Sequence, residues 1–104
     1  MKKYRIELSP EAAEDLTKLH DSITESLDGH WADLVVFRIK ENISRLAISP
    51  HSCRMLDGVS NLRRIKSGKY VAIFRIFENE RKVIILHVFY ARRDYLSILK
   101  NEQQ

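Results

Sequence analysis

The chain has 104 residues, of which 44% are apolar and 31% charged, with three Gly, two Pro and a single cysteine. That length supports one domain, residues 1–104, around one modest core, and the composition excludes fibrous, disordered and disulfide-stapled classes. No N-terminal stretch has the apolar run of a signal peptide or the length of a membrane span, so a reducing cytoplasm without membrane attachment is expected.

The net charge of +4 is unevenly spread. From Leu62 onward ten Lys or Arg stand against four Asp or Glu, whereas residues 1–61 carry eight against ten. A basic face beside a near-neutral one suits a phosphate backbone or an acidic protein partner.

Residues 4–8 alternate apolar and polar side chains and predict a short half-buried strand. Ser9-Pro10-Glu11 then signals a helix start, since Ser9 caps orphan amides, Pro10 has no N–H to waste, and Glu11 and Glu14 favour the positive end of the dipole. Ala13, Leu16, Leu19, Ile23 and Leu27 recur at helical spacing until Asp28-Gly29. A second helix is predicted from about Trp31, carried by Leu34, Val35, Phe37, Ile39, Ile43, Leu46 and Ala47, and stopped at Ser49-Pro50. The short link between them predicts an antiparallel hairpin.

After a loop over residues 50–60, three β-like segments follow at residues 62–66, 70–77 and 82–90. The last two are joined by the polar turn Glu78-Asn79-Glu80-Arg81. Val83-Ile84-Ile85-Leu86 is apolar at both parities, which predicts a central strand covered on both faces. Residues 92–100 form a short terminal helix or a tail. The reading is α+β in the order β-α-α-β-β-β, a helical hairpin packed on a small, mostly antiparallel sheet.

His20, His30, His51, His87 and Cys53 show no metal-ligand spacing, and Gly29, Gly58 and Gly68 are isolated turn glycines, so no metal or cofactor is expected. The candidate binding residues are Arg63, Arg64, Lys66, Lys69, Arg75, Arg92 and Arg93. Arg64 and Lys66 share one strand parity, so both project from one face. Such a cluster suits phosphates, with Tyr70, Tyr90 and Tyr95 near enough to stack a base. Metal-free ribonuclease chemistry would need proton carriers, for which Lys66, Tyr95 and His87 are candidates, and an arginine clamp. The competing reading packs Tyr70, Tyr90 and His87 into the sheet and leaves the arginines to an acidic peptide.

Three segments, in their order, resemble the RelE/ParE superfamily of bacterial toxins. They are Ile6-Glu7-Leu8-Ser9-Pro10-Glu11-Ala12-Ala13-Glu14-Asp15-Leu16, Leu62-Arg63-Arg64-Ile65 with Gly68-Lys69-Tyr70, and His87-Val88 with Ala91-Arg92-Arg93-Asp94-Tyr95. The resemblance implies the growth-arresting toxin of a type II toxin-antitoxin pair, held inactive by a cognate antitoxin that wraps it and reaching operator DNA only through that complex.

In RelE-like members, which cleave messenger RNA on the ribosome, the resemblance implies basic residues on the second strand, an Arg after the Gly-Tyr pair opening the third, and an Arg with a Tyr near the C-terminus. Arg64 and Lys66 match the first, and Arg92 or Arg93 with Tyr95 the last, making Lys66, Arg92 and Tyr95 the catalytic candidates of that reading. Val71 stands at the middle position. Arg75 shares its strand parity and is the candidate substitute.

ParE-like members inhibit DNA gyrase, and the Tyr90-Ala91-Arg92-Arg93-Asp94-Tyr95 ending is more similar to theirs. Gyrase is therefore the expected target, with ribosome-dependent mRNA cleavage as the alternative. A non-toxic nucleic-acid-binding module is the second alternative.

Overall fold

The computed structural model of the chain describes residues 3–102. Strand β1 (Arg5–Leu8) is followed by helices α1 (Pro10–Ser26) and α2 (Gly29–Ser44), strands β2 (Arg63–Ser67), β3 (Tyr70–Phe77) and β4 (Lys82–Tyr90), and helix α3 (Tyr95–Glu102). The sheet order is β1-β4-β3-β2, parallel between β1 and β4 and antiparallel elsewhere. The expected α+β architecture is present, with β4 inside the sheet and the C-terminal segment helical.

Ser9 opens α1 in extended conformation, and its Oγ accepts from the Ala12 amide at 3.0 Å with Pro10 in the first turn. The same hydroxyl donates to the Leu86 carbonyl at 2.9 Å, and the Ser9 amide donates to Ile85 at 2.8 Å. One residue thus caps the helix and moors it to β4. That mooring fixes the helix rotation. Ala12, Leu16 and Leu19 turn toward the sheet, while Ala13 and Leu27, expected on the buried stripe, are exposed.

Helix α2 begins at Gly29 rather than near Trp31, because Asp28 caps it by accepting from the Trp31 amide at 2.8 Å. Trp31 therefore occupies the first turn, where it is 49% exposed, and Phe37 also faces outward. Ala32, Ile39 and Ile43 form the buried stripe of α2.

The sheet carries a core on each face. Under the hairpin lie Leu16, Ile39, Ile43 and Leu46 against Ala72, Phe74, Val83, Ile85 and Val88. On the opposite face Leu56, Val59 and Leu62 from the 53–62 connection join Val71, Ile73 and Phe89 with Tyr95 and Leu99 of α3. The helical hairpin is thus one of two layers on the sheet, the other being α3 and the connection.

Ile73 opposes His87 and Phe74 opposes Ile85, so Leu86 is an extra residue in β4, a β-bulge. At the far end of the sheet Glu78 accepts from the Tyr4 hydroxyl at 2.7 Å and pairs with His51 Nε2 at 2.6 Å, while the Arg81 guanidinium lies 4.3 Å over the Tyr4 ring. This contact pins the start of the long connection to the β3–β4 turn.

Two stability predictions follow from these contacts. Phe74 is fully buried, so Phe74→Ala should lower the unfolding free energy in urea by about 3–5 kcal/mol. The Tyr4 hydroxyl, and after it His51, holds the Glu78 carboxyl below its ordinary range. A lowered carboxylate contributes stability that is present above its unfolded pKa of about 4.3 and is lost as pH falls through the folded value. Glu78→Gln should therefore be less stable than the parent near neutrality, and the two urea midpoints should converge in acid. A gap that stays constant across the titration would contradict this.

Candidate functional site

The β2–β3 turn places Gly68 at φ 58, a left-handed conformation that glycine adopts without strain, and leaves Lys69 at its tip. The Lys69 carbonyl accepts from the Ala91 amide at 2.8 Å, tying this turn to the one that follows β4. Backbone pairing thereby gathers Lys66, Lys69, Arg92 and Arg93 at one end of the sheet, all four exposed.

The remaining predicted cations go elsewhere. Arg64 shares the face of Lys66, but its Nη1 donates to the Tyr95 hydroxyl at 2.9 Å. Arg63 points to the opposite face, where its Nη1 donates to the carbonyls of Cys53 at 2.7 Å and His51 at 3.1 Å and holds the connection in place. Arg75 lies on the Val71 face but four residues along β3, roughly 13 Å away at strand rise, with its guanidinium 5.0 Å from the Phe77 ring centre. It lines a groove of about 400 Å³ with Leu62, Phe77, His87 and Leu99, away from the rim.

Tyr95 is 7% exposed, and its ring stacks on Phe89 at 5.8 Å and 12°. Phe89 also stacks on His87 and lies under the Arg93 guanidinium, 5.6 Å from the ring centre. Val71 is 1% exposed in the second core. His87, the third proton-carrier candidate, has its two ring nitrogens facing Asp15 and Glu102. Burial pushes the half-buried Cys53 thiol up, which disfavours a thiolate nucleophile there.

On the hairpin side Tyr70 and Tyr90 oppose each other across β3 and β4 and meet edge to face at 5.8 Å. Burial raises the Tyr70 hydroxyl pKa. Beside Tyr70 opens an apolar groove of about 470 Å³ lined by Ile23, Leu27, Trp31 and Val35, with Arg38 and Lys69 among the charged residues at its border. Sequence periodicity assigned Ile23, Leu27 and Val35 to core stripes and so missed this groove.

A rim of four ammonium and guanidinium groups is chemically suited to anions and acidic surfaces. Tyr95→Phe, which removes the bond to Arg64 and keeps the stacking, should cost about 1 kcal/mol in chemical denaturation. Tyr95→Ala should cost about 3–5 kcal/mol through the cavity it leaves. Equal losses would mean that the hydroxyl, not the ring, carries the packing.

Residues 6–95 match the family model described as the ParE toxin of the type II toxin-antitoxin system parDE. The fold is similar to a chain of the chromosomal ParDE system from P. aeruginosa, with 18% identity, a TM-score of 0.78, and coverage of 86% of this chain and 98% of that one. It is also similar to a mutant of the E. coli toxin RelE in the free state, at 16% identity and a TM-score of 0.69 over 97% of both chains. The RelBE2 toxin-antitoxin complex from Mycobacterium tuberculosis gives 21% identity and a TM-score of 0.65 over 85% of this chain and 98% of that one. Among curated proteins none matches the sequence. With the family model spanning nearly the whole domain and the sheet order, hairpin and terminal helix in place, the chain belongs to the ParE toxin family of type II toxin-antitoxin systems.

Proposed function

We propose that this protein arrests bacterial growth by binding DNA gyrase through the rim of Lys66, Lys69, Arg92 and Arg93, and that a cognate antitoxin neutralises it. The observation that carries the reading is at Val71. Where the resemblance to RelE-like nucleases implies an arginine, this chain buries an aliphatic side chain, and Arg75, the cation that shares its parity on β3, belongs to a different groove. The phenolic group of Tyr95 is likewise engaged by Arg64 inside the second core. The rim is then a set of positive charges without the arginine that the nuclease resemblance implies on β3, which suits recognition of an acidic surface.

The antitoxin reading rests on the apolar groove. Ile23, Leu27, Trp31 and Val35 line an apolar trough in which Leu27 and Trp31 are exposed, and two cations, Arg38 and Lys69, against one carboxylate, Glu41, at its border suit an acidic amphipathic segment that orders on binding. The groove and the rim share Lys69, so an occupant of one crowds the other. Antitoxin degradation would expose both. Toxin and target would meet in the cytoplasm, and among the described residues no helix is long and apolar enough to cross a membrane.

Purified protein should inhibit gyrase supercoiling. The double charge reversal Arg92→Glu with Arg93→Glu should weaken inhibition by about tenfold or more, while an antitoxin held in the apolar groove still binds. Cleaved transcripts in cells expressing the protein, together with unimpaired supercoiling in vitro, would overturn the gyrase assignment and turn attention to Arg64 and Lys66.

A further inference from the structure

The target reading leaves unused a half-buried histidine held between two carboxylates. His87 follows the extra residue of the β4 bulge, and its side chain is 14% exposed. Nδ1 lies 3.2 Å from Asp15 Oδ2 on α1, and Nε2 lies 3.0 Å from Glu102 Oε1 in the last turn of α3. The ring stacks on Phe89 at 4.9 Å and 18°, which holds its plane in place. Asp15 is also fixed from a second direction, because the same Oδ2 accepts from the Val88 amide at 3.0 Å.

The charge state of the ring decides whether this bridge can close. A neutral imidazole has one N–H, so between two carboxylates it donates to one and presents a lone pair to the other. Only the imidazolium donates to both, and each bond is then charge-assisted. The charged groups around the ring are Asp15 and Glu11 from α1, Glu102 from α3, Arg75 from β3 and Arg93 from the turn beyond β4, the last through its contact with Phe89. The 53–62 connection contributes uncharged Ser60 to the same groove.

We propose that His87 is a protonation-dependent latch for the C-terminal helix. When protonated it ties the last turn of α3 to the sheet and to α1. When neutral it keeps Asp15, which the Val88 amide already holds, and lets go of Glu102, the more exposed partner at 49% against 26%. Release loosens the cover that Leu99 provides over the groove lined by Leu62, Phe77 and Leu86.

Amide hydrogen exchange of the full free chain, measured near about pH 5.5 and about pH 8 and corrected for intrinsic rates, reads the latch directly. The last turn of α3 should be about threefold better protected at the lower pH, with the β3 and β4 amides unchanged between the two. Glu102→Gln alters an exposed side chain outside both cores and should abolish the pH difference in α3. His87→Gln should do the same. Equal protection of α3 at both pH values, or a pH difference that survives Glu102→Gln, would overturn the proposal. Either result is independent of whether the protein acts on gyrase.

Discussion

Strand β4 must bury both faces and satisfy both edges, and the extra residue Leu86 is what allows it to do so. Up to Ile85 one edge is taken by β1, and beyond that point α1 supplies the partners, with Ser9 Oγ donating to the Leu86 carbonyl and Asp15 accepting from the Val88 amide. Strict alternation from Val83 and Ile85 would place His87 in the main core under the helices. The bulge changes the phase, so Val88 joins Val83 and Ile85 beneath the hairpin while His87 and Phe89 turn to the α3 side. The helix N-terminus, the phase of the last strand and the seat of α3 are therefore set by one short stretch of backbone.

The same economy builds the basic rim. Among the described residues no ion pair assembles Lys66, Lys69, Arg92 and Arg93; two turns do, joined through the Lys69 carbonyl and the Ala91 amide. Like charges would separate if only side chains held them, so a backbone bond between the turns is a sound way to keep a positive surface dense. The adjoining apolar groove meets the rim at Lys69 and Tyr70. Under the proposed function this adjacency accounts for neutralisation without an allosteric step, because a segment seated against Trp31 and Leu27 lies next to the charges the target needs.

Much of this was legible in the sequence where a signal is local. Ser9-Pro10 marked the helix start, the two-sided apolar run of residues 83–86 marked the central strand, and strand parity put Arg64 and Lys66 on one face. What was not legible depended on distant partners. Helical spacing alone gives Ala12 and Ala13 nearly equal claims to the core, and only the mooring of Ser9 to Ile85 and Leu86 decides for Ala12. Trp31 and Leu27 look like core in any hydrophobicity pattern, yet the hairpin extends past the sheet there and leaves them outside. Arg63 differs from Arg64 by one residue, and its role as a tie for residues 51–53 follows from carbonyls that sequence cannot place. Leu86 has no compositional mark as a bulge.

Val71 bears most directly on how the cations work together. A phosphate clamp needs its donors to converge on a few oxygens, within roughly 3 Å of each. Arg75, the parity-matched substitute, sits two side-chain repeats along β3 from Val71, stacked near Phe77 and facing the α3 groove. Lys66 lies opposite Val71 on β2, at the other end of the face. Under the proposed function these cations act separately, because the Arg75 guanidinium lies against Phe77 in the α3 groove while Lys66 stands at the rim. The same spacing is well matched to a broad acidic surface, where each charge meets a different partner and none needs to move.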